Sequence, residues 1–122
     1  MEKNLRKILN LGHTFAHAYE SCLNFSNKLN HGEAVIIGIK NAVEFSYQCK
    51  LLKNNSYNLI RNHVDKIPLN KNFKQLFKTR DIDRIIFFMK SDKKNNSKDI
   101  ILSISFALKS CLKLLFNGIL ST

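Results

Sequence analysis

Proline occurs once, at Pro68, tryptophan is absent, and only four glycines stand among 122 residues. So little punctuation excludes collagen-like and flexible linker-like chains and leaves room for long uninterrupted helices. Three cysteines, Cys22, Cys49 and Cys111, are too few and too irregularly spaced for a disulfide framework or a CxxC zinc site. They read as free thiols of a reducing compartment. Neither GxGxxG nor GxxxxGK[ST] is present, so no nucleotide cradle is expected within these residues. The most apolar stretch, Ile100 to Leu120, is interrupted by Lys109 and Lys113 and falls short of the ~20 apolar residues that a membrane span requires. The charged start, Glu2, Lys3, Arg6 and Lys7, has no apolar core segment, so no secretory signal is read there.

Acidic side chains are also scarce, nine against twenty Lys and Arg, for a net charge of +11. Such a balance suits nucleic acid or an anionic surface only when the cations cluster. Here sixteen of the twenty are dispersed lysines and fifteen residues are asparagine, the joint excess of an AT-rich coding sequence. No nucleic-acid or membrane partner is therefore expected. A hydrophobic content of 44% with nine Phe is enough for one small domain with its own core.

Helical periodicity dominates. A first helix is expected from about Lys3 to Leu23, with Leu5, Ile8, Leu9, Ala16 and Tyr19 in its apolar stripe. After a polar break, Asn30 can cap a second, central helix from about Gly32 through Cys49. Asn54 or Asn55 opens a third that would bury Leu59, Ile60 and Val64 and end at Ile67-Pro68. Phe73, Leu76 and Phe77 suggest a short helix, and Asp81 starts another with Ile82, Ile85, Ile86 and Met89 inward. The polar run from Ser91 to Ser97 follows, and Asp99 to Phe106 fits either a strand or a terminal helix. The expected product is an all-α domain of about five helices.

Chemistry concentrates near the start. His13 and His17, at i and i+4, project from one helix face, with Asn10 and Arg6 one and two turns upstream. Catalytic zinc takes three protein ligands and keeps one position open, so His13, His17 and His31 are candidate donors if the first two helices pack antiparallel. An isolated histidine pair is equally read as two satisfied polar side chains on a helix. Gly12 tips that balance, because a mid-helix glycine costs about 1 kcal/mol and implies a close approach to the backbone there. Arg6 and Asn10 offer a charged fork and an amide suited to a phosphate. Lys93 and Lys94 read by spacing as a solvated pair, and His63 as a surface histidine.

Taken in order, Glu2-Lys3-x-x-Arg6-x-x-Leu9-Asn10-x-Gly12-His13-Thr14-x-x-His17-Ala18-x-Glu20 and His31-Gly32-Glu33-Ala34-Val35 resemble the C-terminal domain of 3-dehydroquinate synthase. Ile67-Pro68 and Met89 followed by Asp92-Lys93-Lys94 agree. The resemblance covers residues 1–102, with 103–122 read as a divergent tail of the same single helical domain. It implies the all-α, multi-helix fold shared with the C-terminal part of iron-containing alcohol dehydrogenases. It also implies a cytoplasmic carbon-oxygen lyase of the shikimate pathway, in aromatic amino acid biosynthesis. That enzyme converts 3-deoxy-D-arabino-heptulosonate 7-phosphate to 3-dehydroquinate and phosphate. By resemblance, His13 and His31 are ligands of Zn2+ (or Co2+), His17 contacts substrate and relays protons, and Glu2 is an acidic active-site position. Arg6, Asn10, Lys93 and Lys94 would bind the sugar phosphate. The family's NAD-binding half, which resembles a Rossmann-type domain and supplies a third zinc ligand, is not among these residues. Partners implied are therefore that half or a homodimer mate. Alternatives are a related sugar-phosphate cyclase and, from another class, a non-catalytic helical remnant or interaction module.

Overall fold

A computed structural model describes residues 2–24, 27–69, 73–91 and 109–113. Among them five α-helices are delimited in order, besides the helical residues 109–113: α1 (Glu2–Cys22), α2 (His31–Gln48), α3 (Asn54–Asp65), α4 (Phe73–Leu76) and α5 (Ile82–Lys90), with a 3-10 turn at Thr79–Asp81 before the last. No strand occurs among the described residues, so the fold is all-α. Asp99 to Phe106 lies outside them.

The start of α2 is set by its own sequence. Asn30, in extended conformation, accepts from the Glu33 backbone N–H at 2.8 Å, and its own N–H donates to Glu33 Oε1 at 3.0 Å. This capping box satisfies two otherwise orphaned donors and puts His31 at the first helical position. The far end closes with Lys50 in the left-handed region, at φ 60. Its N–H reaches the Tyr47 carbonyl at 3.0 Å while Leu51 N–H reaches Ser46 at 2.9 Å, the paired bonds of a Schellman ending.

α1 and α2 pack antiparallel at very close range. A Cβ on Gly38 would overlap the Gly12 carbonyl oxygen and stand 3.0 Å from the Ala16 nitrogen; one on Gly12 would stand 2.9 Å from Ile39 Cγ1. The close approach implied by Gly12 is thus real, and the approaching group is the backbone of the neighbouring helix. Around this crossing the core collects Ile8, Leu11, Phe15, Tyr19, Ile37 and Phe45, all buried. Phe15 meets Phe45 edge-on at 6.3 Å, and Tyr19 meets Phe77 at 5.1 Å, tying α1 to the segment that leads into α5.

α5 turns Ile82, Ile85, Ile86 and Met89 inward as expected. Within 103–122, the described residues 109–113 are helical and bury Cys111 and Leu112 in the same core. Three expected core positions are not buried. Leu5 and Leu9 are 43% and 40% exposed: they share the helical stripe of Gly12 and Ala16, which α2 approaches closely only further along α1. Leu59 is 54% exposed, while Tyr57 of the same helix is buried and Ile60 and Val64 are half-buried. α3 rests on α2 through its Tyr57 side, and it ends at Asp65, ahead of Ile67-Pro68. Its first residue is Asn54, following Lys53, which makes no side-chain cap.

The crossing yields a graded prediction. Gly38→Ala forces backbone apart and should cost more than the about 1–3 kcal/mol typical of overpacking. Gly12→Ala meets a side-chain atom first, gains about 1 kcal/mol of helix propensity, and should cost less. Urea unfolding of the two variants checks the order; equal stability of Gly38→Ala and the parent contradicts it.

Candidate active-site face on α1 and α2

Arg6, Asn10, His13 and His17 follow one another at helical spacing and fall within an arc of about 60° on α1. Arg6, His13 and His17 are exposed and Asn10 is half-buried. The opposite face, Ile8, Leu11, Phe15 and Cys22, is buried, so the core side fixes the azimuth of the polar stripe. Between them Thr14, fully buried, donates its hydroxyl proton to the Asn10 carbonyl at 3.1 Å, which spares that hydroxyl an unpaired burial.

One turn beyond His17, Glu20 carries the stripe to the end of α1. Its carboxylate lies 3.2 and 3.3 Å from Nδ1 of His31, so the N-terminus of α2 sits beside the C-terminal part of α1. The Glu20 side chain is 12% exposed and the His31 side chain 65%. Glu33, two residues after His31, is engaged by the Asn30 cap.

The antiparallel pairing therefore brings His31 to the helix that bears His13 and His17. It does not gather three donors by itself: among the described residues no group of three or more His, Cys, Asp and Glu could hold a metal ion. His13, His17 and His31 are all exposed imidazoles on these two adjoining helices. Lys93, Lys94 and the side chain of Glu2 lie outside the described residues. His63 is exposed on α3, as read. The three cysteines are free; burial pushes the Cys22 and Cys49 thiols up and the Cys111 thiol up to about 12, so none is an activated thiolate.

A concavity of about 500 Å³ opens at the α2–α3 corner and is lined by Tyr47, Gln48, Lys50, Leu52, Lys53 and Asn54. It contains none of the candidate residues, and chemistry outweighs volume in choosing between the two places.

A second titratable cluster was not anticipated. Glu44, 3% exposed, accepts from the Tyr57 hydroxyl at 2.9 Å and pairs with Arg61 at 3.2 Å. Tyr57 stacks on Tyr47 with ring centres 4.0 Å apart. The signal for Glu44 in sequence was only an acid inside an otherwise apolar helix, which periodicity alone assigns to no partner. The cavity adjoining it measures about 10 Å³, too small for a substrate.

An all-α domain that presents imidazoles, an arginine and an amide along one antiparallel helix pair defines the class, a helical site-bearing domain. Comparison with known proteins gives the family. A family model described as "3-dehydroquinate synthase C-terminal" matches residues 1–95, and the chain belongs to that family. The 3-dehydroquinate synthase of Pelagibacter ubique (strain HTCC1062) is 46% identical over 117 residues, which is 95% of this chain, a coverage that carries the similarity beyond Leu102. Those of Bradyrhizobium sp. (strain BTAi1) and Acetivibrio thermocellus are 36% and 37% identical over 73% and 76% of it. The chain spans 32%, 25% and 24% of the lengths of these three relatives. No solved structure matches.

Glu44 supplies a pH prediction. Burial is the largest influence and raises its carboxyl above the ordinary value, against the Tyr57 hydrogen bond and the Arg61 charge, which lower it. The folded state then holds the Glu44 proton more tightly than the unfolded chain. The corresponding stability is present below the ordinary carboxylate value and is lost as pH rises through the raised one. Glu44→Gln lacks this loss, so its unfolding midpoint should gain on the parent's as pH rises across that window. Parallel midpoint-against-pH curves contradict the assignment.

Proposed function

We propose that this chain is the helical, metal- and substrate-binding part of a 3-dehydroquinate synthase, a carbon-oxygen lyase acting on a sugar phosphate. The observation that carries the reading is the single exposed face of Arg6, Asn10, His13 and His17, joined at its end by His31. The substrate is 3-deoxy-D-arabino-heptulosonate 7-phosphate and the products are 3-dehydroquinate and phosphate, a step of the shikimate pathway toward aromatic amino acids in the cytoplasm. No helix among the described residues is long and apolar enough to cross a membrane.

Roles follow from chemistry and position. The Arg6 guanidinium offers a planar fork of donors to phosphate oxygens, and Asn10, one turn on, adds an amide. Arg6, His13 and His17 are reached from one side, so a substrate lying along α1 meets cation and imidazoles together. His17 is the proton-relaying group, and Glu2, Lys93 and Lys94 complete the acidic and phosphate-binding positions. His13 and His31 would hold zinc or cobalt, with a carboxylate from the NAD-binding half as the third ligand; bound there, the metal polarises substrate oxygens. The partner is that cofactor half, and the complete enzyme is a homodimer. Nucleic acid and membrane have no part in this reading.

The test is phosphate release from the heptulosonate phosphate with NAD and zinc, for the chain alone and mixed with a separately expressed NAD-binding half from a relative. Activity in the mixture only is expected, lost on His13→Ala and weakened through KM on Arg6→Ala. A folded helical chain that gives no phosphate in either arm contradicts the enzyme reading and favours a non-catalytic interaction module. Turnover of a different phosphorylated sugar alone would move it to a related cyclase.

A further inference from the structure

Of the polar groups on the α1–α2 face, Glu20 has a defined partner and no role in the chemistry above. Its two carboxylate oxygens stand 3.2 and 3.3 Å from the same nitrogen, His31 Nδ1. A carboxylate only accepts hydrogen bonds, so Nδ1 is the protonated nitrogen of that ring. In the neutral ring the lone pair is then on Nε2, the nitrogen that Glu20 leaves available.

The mechanical contrast between the partners points the same way. The Glu20 side chain is 12% exposed where α1 and α2 meet, whereas that of His31 is 65% exposed, so packing does little to choose its rotamer. Its backbone is fixed independently: the Asn30–Glu33 capping box places His31 at the first position of α2 whatever its ring does. What remains free is ring orientation and tautomer, and Glu20 is the group in contact with both. A purely structural role for Glu20 would be helix capping or pairing with a fixed cation. Capping at this junction is performed by Asn30 and Glu33.

We propose that Glu20 is a positioning residue for His31, orienting the imidazole through Nδ1 so that Nε2 is presented as the metal-binding nitrogen. The inference rests on the reading of His31 as a ligand. Carboxylate partners of ligating histidines set tautomer and basicity, and their loss typically costs 10–100-fold in metal affinity.

Two measurements on the 122-residue chain test it. The first needs no metal: nitrogen-15 shifts of the His31 ring in mildly alkaline buffer should report the Nδ1–H tautomer in the parent and a shift toward Nε2–H in Glu20→Gln. The second is zinc affinity by chelator competition, with cobalt absorption as the spectroscopic check. Glu20→Gln should bind about 10–100-fold more weakly at unchanged helix content by circular dichroism. His31→Ala should lose the metal further. If Glu20→Gln fails to fold, Glu20→Asp, one methylene shorter, should show an intermediate tautomer shift and an intermediate loss. Glu20→Gln with parental tautomer and affinity, beside a His31→Ala that loses zinc, overturns the positioning role and leaves the ligand reading intact. Equal zinc affinity of His31→Ala and the parent overturns the ligand reading, and the inference with it.

Discussion

The contact between the backbones of α1 and α2 at Gly12 and Gly38 is the constraint on which the rest depends. Two helices that touch without side chains between them have their register set to within a residue, because every neighbouring knob must then fit a hole already fixed. This aligns Glu20 with His31 at one end of the crossing and accompanies the packing of Phe15 against Phe45 in the core. The Asn41 amide donates to the Tyr19 hydroxyl in the same interface, a polar link inside an otherwise apolar seam. Burial pushes the Tyr19 hydroxyl well above its ordinary value, so it stays a neutral hydrogen-bonding group there.

The two buried carboxylates of the hairpin meet opposite surroundings. Glu44 faces α3, where Tyr57 and Arg61 close over it and no ligand-sized space adjoins. Glu20 faces an exposed imidazole at the open end of the polar stripe. The first arrangement consumes its charge in packing α3 onto α2. The second keeps one side of the pair in contact with solvent, which is where chemistry can reach it. Depth of burial alone would have ranked Glu44 as the more interesting acid; what each carboxylate touches reverses that order.

Much of this was legible in the residues. The common face of Arg6, Asn10, His13 and His17 follows from helical spacing alone, and Asn30 is the cap it promised to be. The inward set of α5 was readable because four large apolar residues at helical spacing leave only one face to bury. Leu5, Leu9 and Leu59 misled because periodicity shows a stripe but not how far a neighbour extends over it. Gly12 correctly signalled close approach, yet nothing local says whether a ligand or a helix is what approaches. Glu20 could not be paired in advance, since its partner is chosen by the angle at which α2 returns. Glu44 was hidden for the same reason, its partners lying on a third helix.

The Asn30–Glu33 cap also bears on the order in which structure forms. It joins residues three apart, and the Glu20–His31 pair joins residues eleven apart, so both are closed by short loops with small entropic cost. Contacts of such low sequence separation are those that form fast. The contacts that shape the end of the polar face carrying His31 therefore lie within one helical hairpin, α1 and α2.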